Sequence, residues 1–381
     1  MLRVIGTACV LGAGSTGVGT AGAAGASQDW PMAGYGPSNT RYGPEALGPT
    51  ANQEKQWRWT PDQKEEGFRY SSPTVAGETV YVGTVAHGDA ALYAIDRATG
   101  ERNWKHESWE VQTTPAVVDG LLYYGHMHGD LNALDPATGT LQWKFSTGDS
   151  IHSSPTVVDG TVYVGSTDGN LYAVGAEDGV LTWAFDTTGG GNPSRYVFTP
   201  PAVHDGTVYA TTGGKHGLDL YALDAGSGSL SWKRQLTDAG TAISYLTAPT
   251  VAGGRLYLGN KEDKTLLALD PASGDEVWSV EGVALSRDAG PAVAGCTVFV
   301  GARDGKVRAF DASSGTERWS TNIGNRVRAA PSVGNGVVYV GDEGGQFHAI
   351  DATDGSRLWA VRLSDQVLTS PAVADGTVYV A

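Results

Sequence analysis

His126-Met127-His128 places two imidazoles at i and i+2, positions that share one face of an extended strand. Two such nitrogens can begin a metal site, but zinc or copper needs further ligands, and the neighbouring sequence supplies none. His87 and His216 fall in equivalent loops, which also hold Asp168, Asp219, Asp263, Asp304 and Asp342. Those acids could serve calcium, yet no twelve-residue calcium loop is spelled out. Solvated carboxylates are therefore expected, and no metal is assigned. The chain has no G-x-S-x-G elbow, phosphate loop or H-E-x-x-H, so no catalytic residue is assigned either. A more regular set stands three residues before each of eight recurring prolines: Tyr70, Gln112, His152, Phe198, Leu246, Asp288, Arg328 and Leu368. Arg69, Glu110, Tyr196, Tyr245, Arg287, Arg326 and Gln366 lie beside them. Charge, amide and aromatic groups together can hold a polar ligand. The best candidates are Tyr70, Gln112, His152, Asp288, Arg328, Arg326 and Glu110. A hydrated channel rim explains the same mixture and is the preferred expectation.

The elements that would carry these residues come from a repeat. Its prolines are Pro73, Pro115, Pro155, Pro201, Pro249, Pro291, Pro331 and Pro371, and an aromatic follows each by eight residues, from Tyr81 to Tyr379. Trp104, Trp143, Trp183, Trp232, Trp278, Trp319 and Trp359 stand eight residues after an Asp, with Gly175 the one lapse. A period of roughly 40–50 residues signals a propeller or array, because one unit cannot bury its own apolar face. PAVV, TVYVG, LYALD and LQWKF read as four strands. Asp-Gly pairs make the first hairpin turn, and Pro-Ala-Thr-Gly suits a turn before the fourth strand. The fold expected is all-β: four-stranded antiparallel blades in a ring. The Trp residues, Trp57 included, are expected to pack between blades.

KQWRWT sets Trp57 where LQWKFS sets Trp143, so residues near 57 read as a fourth strand without its first three. Residues 370–381 read as a first and second strand. Together they would complete an eighth blade and close the ring, which removes exposed sheet edges. No third strand is available to that blade, and truncation at the C-terminal end is expected. The strand order also sorts the loops. Those after second and fourth strands share one face and vary in sequence, which marks the likelier binding surface.

ALDPATGTLQW (133–143) and AIDRATGERNW (94–104) resemble the repeat of the pyrroloquinoline-quinone (PQQ) propellers: Ala, Asp, Thr-Gly and Trp at set spacing. The resemblance covers residues 51–381. It implies one of two activities. The first is a non-catalytic protein-interaction or ligand-binding scaffold such as the barrel-assembly protein BamB, and this is the reading adopted. The alternative is a PQQ- and calcium-dependent alcohol dehydrogenase. Against it, no Glu, Asn and Asp calcium set can be placed here, and the adjacent cysteine pair of many such enzymes is missing.

Composition narrows the partners. The 381 residues carry 41 acidic and 26 basic groups, a formal charge of −15. That disfavours nucleic acid, whose phosphates require basic patches. An acidic, Lys-poor surface suits a halophilic setting, where salt screens self-repulsion. Residues 1–26 read as a secretory leader, and 27–50 as an extended lead-in lying on the propeller surface, tacked by Trp30 and Tyr35. The expectation is an exported, extracytoplasmic monomer with a protein or cell-surface partner and no integral membrane span. Cys9 falls in the leader, which leaves Cys296 alone in the propeller, without a disulfide framework.

Overall fold

The computed structural model describes residues 29–381 apart from 45, 47, 50–55, 62–68, 86–89, 191–194, 215–216, 238–244, 262, 287 and 364. Seven antiparallel sheets, each built on four strands, succeed one another along the chain; in the fourth, the short strand Gly213–Gly214 intervenes and pairs with Arg195–Tyr196 instead. They occupy residues 74–107, 116–146, 156–186, 202–237, 250–281, 292–322 and 332–362, and are numbered here as blades 1 to 7.

Blade 2 shows why the repeat folds this way. Asp119 (φ 51°) and Gly120 (φ 79°) both take the left-handed conformation that joins Ala116–Val118 to Leu121–Gly125 in a tight hairpin. Across the sheet Tyr123 faces Ala133, and Ala133 faces Trp143. Ala133 is fully buried, and its small side chain lets the Tyr123 and Trp143 rings approach to 5.8 Å. The Asp135 carboxylate accepts the amides of Ala137 and Thr138 and so holds the turn into the fourth strand. A register shift between Leu141 and Trp143 bends that strand and re-aims the indole. The other complete blades repeat the Ala–Trp pairing and the shift.

Each indole joins its blade to the next. Nε1 of Trp104, Trp143, Trp183, Trp232, Trp278 and Trp319 donates to the carbonyl of Pro136, Ala176, Ala225, Pro271, Ala312 and Ala352, at 2.9 to 3.0 Å. Trp57 makes the same bond to Arg97 (2.9 Å), and Trp359 makes it to Pro49 (2.9 Å). The junctions therefore number eight.

The complete blades do not. The expected eight four-stranded blades are corrected to seven. The eighth station holds a two-stranded sheet, Ala372–Ala374 with Thr377–Tyr379, and residues 56–61 beside it are not in a strand. A fourth strand forms its ladder only with a third strand, and no described strand stands there to receive it. Trp57 still packs at this station, with its ring 6.0 Å from that of Tyr379.

The lead-in is also corrected, because it does not lie on the outer surface. Residues 30–43 run across the innermost strands, one blade after another. The amides of Val75, Val117, Val203, Val251, Val293 and Val333 donate to the carbonyls of Trp30, Pro31, Pro37, Ser38, Thr40 and Arg41. All six valines stand two residues after a repeat proline. The segment ends in Tyr42–Gly43, paired parallel to Val333–Gly334. Trp30, Met32, Asn39, Arg41 and Ala46 are buried. Asn39 Nδ2 reaches the carbonyls of Pro200, Pro201 and Pro249. Burial lowers the Arg41 pKa to about 10, with Asp288 pulling it the other way. Cys296 is disulfide-bonded rather than a lone thiol, and the other half of that bond lies outside the described residues.

Candidate functional site

The loops after second and fourth strands do share a face. Met127, Thr167, Arg303 and Glu343, each following a second strand, donate their amides to Glu110, Ser150, Ala284 and Arg326 in the loop between that blade and the one before it. The lead-in stays nearer the other face, where Asp29 accepts the amide of Gly77 in the first hairpin turn.

On the loop face the residues before the prolines separate into two groups. Those entering blades 2 to 5 touch one another. Gln112 Oε1 accepts from His152 Nδ1 at 2.9 Å, and its Nε2 donates to Met127 Sδ at 3.3 Å. The His152 ring meets Phe198 at 5.3 Å. Phe198 meets Tyr196 at 5.2 Å and Tyr245 at 5.4 Å, both ring to ring. Lys261 Nζ sits over the Tyr245 ring at 5.6 Å. All are half-buried, so each keeps part of its surface open to solvent. Across the ring Asp288, Arg326, Arg328 and Gln366 are exposed, and Arg328 Nε approaches Glu343 at 3.7 Å. Tyr70 is half-buried; burial raises its pKa, while Arg58 opposes this. Leu246 is 1% exposed and belongs to the core. Leu368 is half-buried. Arg69 lies in the short strand Arg69–Tyr70, and His87, His216 and Arg287 lie outside the described residues.

The paired histidines are not on one strand face, which corrects the expectation. The strand ends at Gly125, and both occupy the following turn. His126 is buried, with Nδ1 accepting the His128 amide at 3.1 Å and Nε2 3.4 Å from Asp130. That fixes the proton on Nε2. Burial lowers its pKa against the pull of Asp130. His128 points outward and stacks on Trp109 at 4.0 Å. Trp109 is 58% exposed. The sequence reading passed over this Trp; its position outside the Asp-to-Trp register was the available signal.

The five acids expected in these loops are engaged with protein groups, and Asp219 is corrected to a buried place within the strand Leu218–Asp224. Asp168 takes the Tyr172 hydroxyl and the Gly148 amide, and Asp342 takes two amides and His348. Asp219 binds Arg195 and Lys233, Asp263 binds Asn260, and Asp304 binds Arg308. Among the described residues no group of three or more His, Cys, Asp and Glu could hold a metal ion. Among them, too, no helix is long and apolar enough to cross a membrane.

A family model described as "Outer membrane protein assembly factor BamB" matches residues 45–106, 89–245, 198–330 and 303–381. Quinohemoprotein alcohol dehydrogenase ADH IIB of Pseudomonas putida is 28% identical over 116 residues, which is 26% of this chain and 16% of that enzyme. The chain thus matches well under two thirds of that relative. Among solved structures, a europium-containing methanol dehydrogenase superposes with a TM-score of 0.74 at 16% identity, covering 90% of this chain and 87% of the other. BamB from Moraxella catarrhalis superposes with a TM-score of 0.57 at 19% identity, covering 73% and 80%. At such identities the superpositions establish the propeller fold alone.

Proposed function

We propose, from the premise that this chain belongs to the family described as outer membrane protein assembly factor BamB, that it is an exported, non-catalytic scaffold whose loop face docks a protein partner. One observation carries this reading: side-chain contacts run without a break from Gln112 through His152 and Phe198 to Tyr245, spanning the loops that enter blades 2 to 5. Trp109, stacked on His128 beside them, supplies an exposed anchor. Aromatic groups held rigid by neighbours bury large area on binding at little entropic cost, which is why they dominate interface energetics. The formal charge of −15 argues against a nucleic-acid partner. Export agrees with the leader-like residues 1–26, and the residues from 51 onward are taken as the propeller domain.

The test is capture of cell-envelope proteins on the immobilised full chain, beside Trp109→Ala and Phe198→Ala. A partner held by the parent chain and lost with either variant, at unchanged Tm, supports the reading. Equal capture by all three chains overturns it.

The second reading is PQQ- and calcium-dependent alcohol oxidation, favoured by the similarity to alcohol and methanol dehydrogenases. The described residues do not fit that chemistry. The acids Asp342 and Asp219 are bound to protein groups, and the buried Arg41 and Asn39 cross the inner strands near the axis. Adding PQQ and calcium and assaying dye-linked alcohol oxidation separates the readings, since turnover would displace the scaffold.

A further inference from the structure

The lead-in carries a cation into the middle of the ring. The Arg41 carbonyl accepts the amide of Val333, two residues past Pro331. Its guanidinium lies instead beside Gly290, one residue before Pro291. A Cβ on Gly290 would meet Nη2 at 2.7 Å and Nε at 3.3 Å. The side chain therefore runs back along the first strands, toward the loop face from which those strands start. The place of Gly290 holds Ser, Thr, Pro or Ala before the other seven repeat prolines, from Ser72 to Ser370. Gly290 takes no left-handed φ, so the close approach of the guanidinium, and not a turn, is what requires a glycine there.

The charge it brings is poorly compensated. Arg41 is 6% exposed, and its Nε is buried without a partner among the described residues. Burial lowers its pKa to about 10, and Asp288 is the charged group that opposes this. Asp288 stands exposed, where water and salt screen its field. The guanidinium still holds its proton at neutral pH. A buried charge without a fixed counter-ion is costly, and at a poorly screened place an arriving anion is strongly attracted.

We propose that Arg41 anchors an anion site on the axis of the ring, and that its ligand is the carboxylate of a small free acid. A guanidinium presents its donors in a planar fork that matches the two oxygens of a carboxylate, a match that a spherical halide cannot use. The small remaining exposure admits a ligand of a few atoms and leaves no room for a protein segment. Entry is from the loop face, past Asp288. The site is independent of what docks on that face.

The probe is sodium acetate, titrated into the isotope-labelled full chain while the arginine Nε–Hε resonances are followed by NMR at fixed ionic strength. One resonance is expected to move and to saturate. It should be the one missing from the spectrum of Arg41→Gln, and it should remain in Arg303→Gln, which removes an exposed arginine of the loop face. Gly290→Ala keeps the test valid even if Arg41→Gln disturbs the fold. Its Cβ displaces the guanidinium without straining the backbone, so saturation should need at least about tenfold more acetate. Sodium chloride at the same concentrations should leave the resonance in place. The absence of a saturable shift, a moving resonance that persists in Arg41→Gln, unchanged saturation in Gly290→Ala, or an equal shift with chloride overturns the proposal.

Discussion

The indole Nε1 of Trp359 donates to the carbonyl of Pro49 at 2.9 Å, across 310 positions of sequence. The Tyr339 hydroxyl donates to the same oxygen at 3.3 Å. At the earlier junctions that acceptor is the residue opening the next blade's last turn, as Pro136 is for both Tyr81 and Trp104. Pro49 takes that place from the other end of the chain. The junction after blade 7 is therefore made through the Pro49 carbonyl.

Trp359→Ala is expected to cost about 3–5 kcal/mol, the range for truncating a large packed aromatic. Trp359→Phe retains most of the packing but leaves Pro49 without the N–H, for about 1 kcal/mol. Urea unfolding of both variants measures this. A Trp359→Ala midpoint equal to the parent's would mean that the contact does not hold the ring shut.

The Thr-Gly of the repeat has two separate causes, and two substitutions separate them. Gly139 has φ +70°, and a Cβ there would meet Trp104 Cε3 at 2.8 Å. Gly120 has φ +79° with nothing within 4 Å of such a Cβ. Gly120→Ala carries only backbone strain, about 1 kcal/mol. Gly139→Ala adds the displacement of an interblade indole, worth about 1–3 kcal/mol more. Equal midpoints for the two would show that the indole yields freely.

These two glycines also show how far the sequence can be read. Left-handed turns and the Tyr–Ala–Trp stack follow from residue type and spacing, so blade architecture and strand order were legible. The place of the lead-in was not. Its bonds to Val75 through Val333 use backbone carbonyls, which any sequence carries, and residues 29–43 show no period that would betray an inner path. Blade number failed for a related reason. Trp57 announced a fourth strand, but a strand needs a ladder partner, and the residue pattern near it could not show whether one was present. At the loop face the spacing picked out Gln112 and His152 but passed over Trp109 and Lys261, which lie off the repeat register.

Asn39 tests the inner path. It is fully buried, and its Nδ2 serves the carbonyls of Pro200, Pro201 and Pro249, at 3.4, 3.2 and 3.1 Å. Asn39→Ala removes the donor from three carbonyls at once, those of Pro201 and Pro249 buried. The expected cost is about 1–3 kcal/mol. Its φ of 55° adds strain that Asn tolerates better than Ala. Asn39→Gly relieves the strain but not the lost bonds, so it should recover only part of the deficit in thermal unfolding. Full recovery would assign the effect to the backbone alone.

Acid should destabilise the propeller through its buried imidazoles before its carboxylates matter. His348 is fully buried, with Nε2 3.2 Å from Asp342 and Nδ1 unpartnered. Burial lowers its pKa, and Asp342 only partly opposes this. His126 is lowered by burial in the same way. The unfolded value is about 6.5. Below it the unfolded chain takes up protons that the folded chain refuses, so ΔG of unfolding falls as pH drops. The contribution is complete above about pH 6.5 and is lost through the lower folded values. Turn carboxylates such as Asp96 and Asp224 also have lowered pKa values, but they titrate below about pH 4 and leave this window clear. Urea midpoints should therefore drop between pH 7.5 and 5.5, and His348→Gln should make that drop smaller. A midpoint that rises on acidification, or an unchanged drop in His348→Gln, would remove His348 from the explanation.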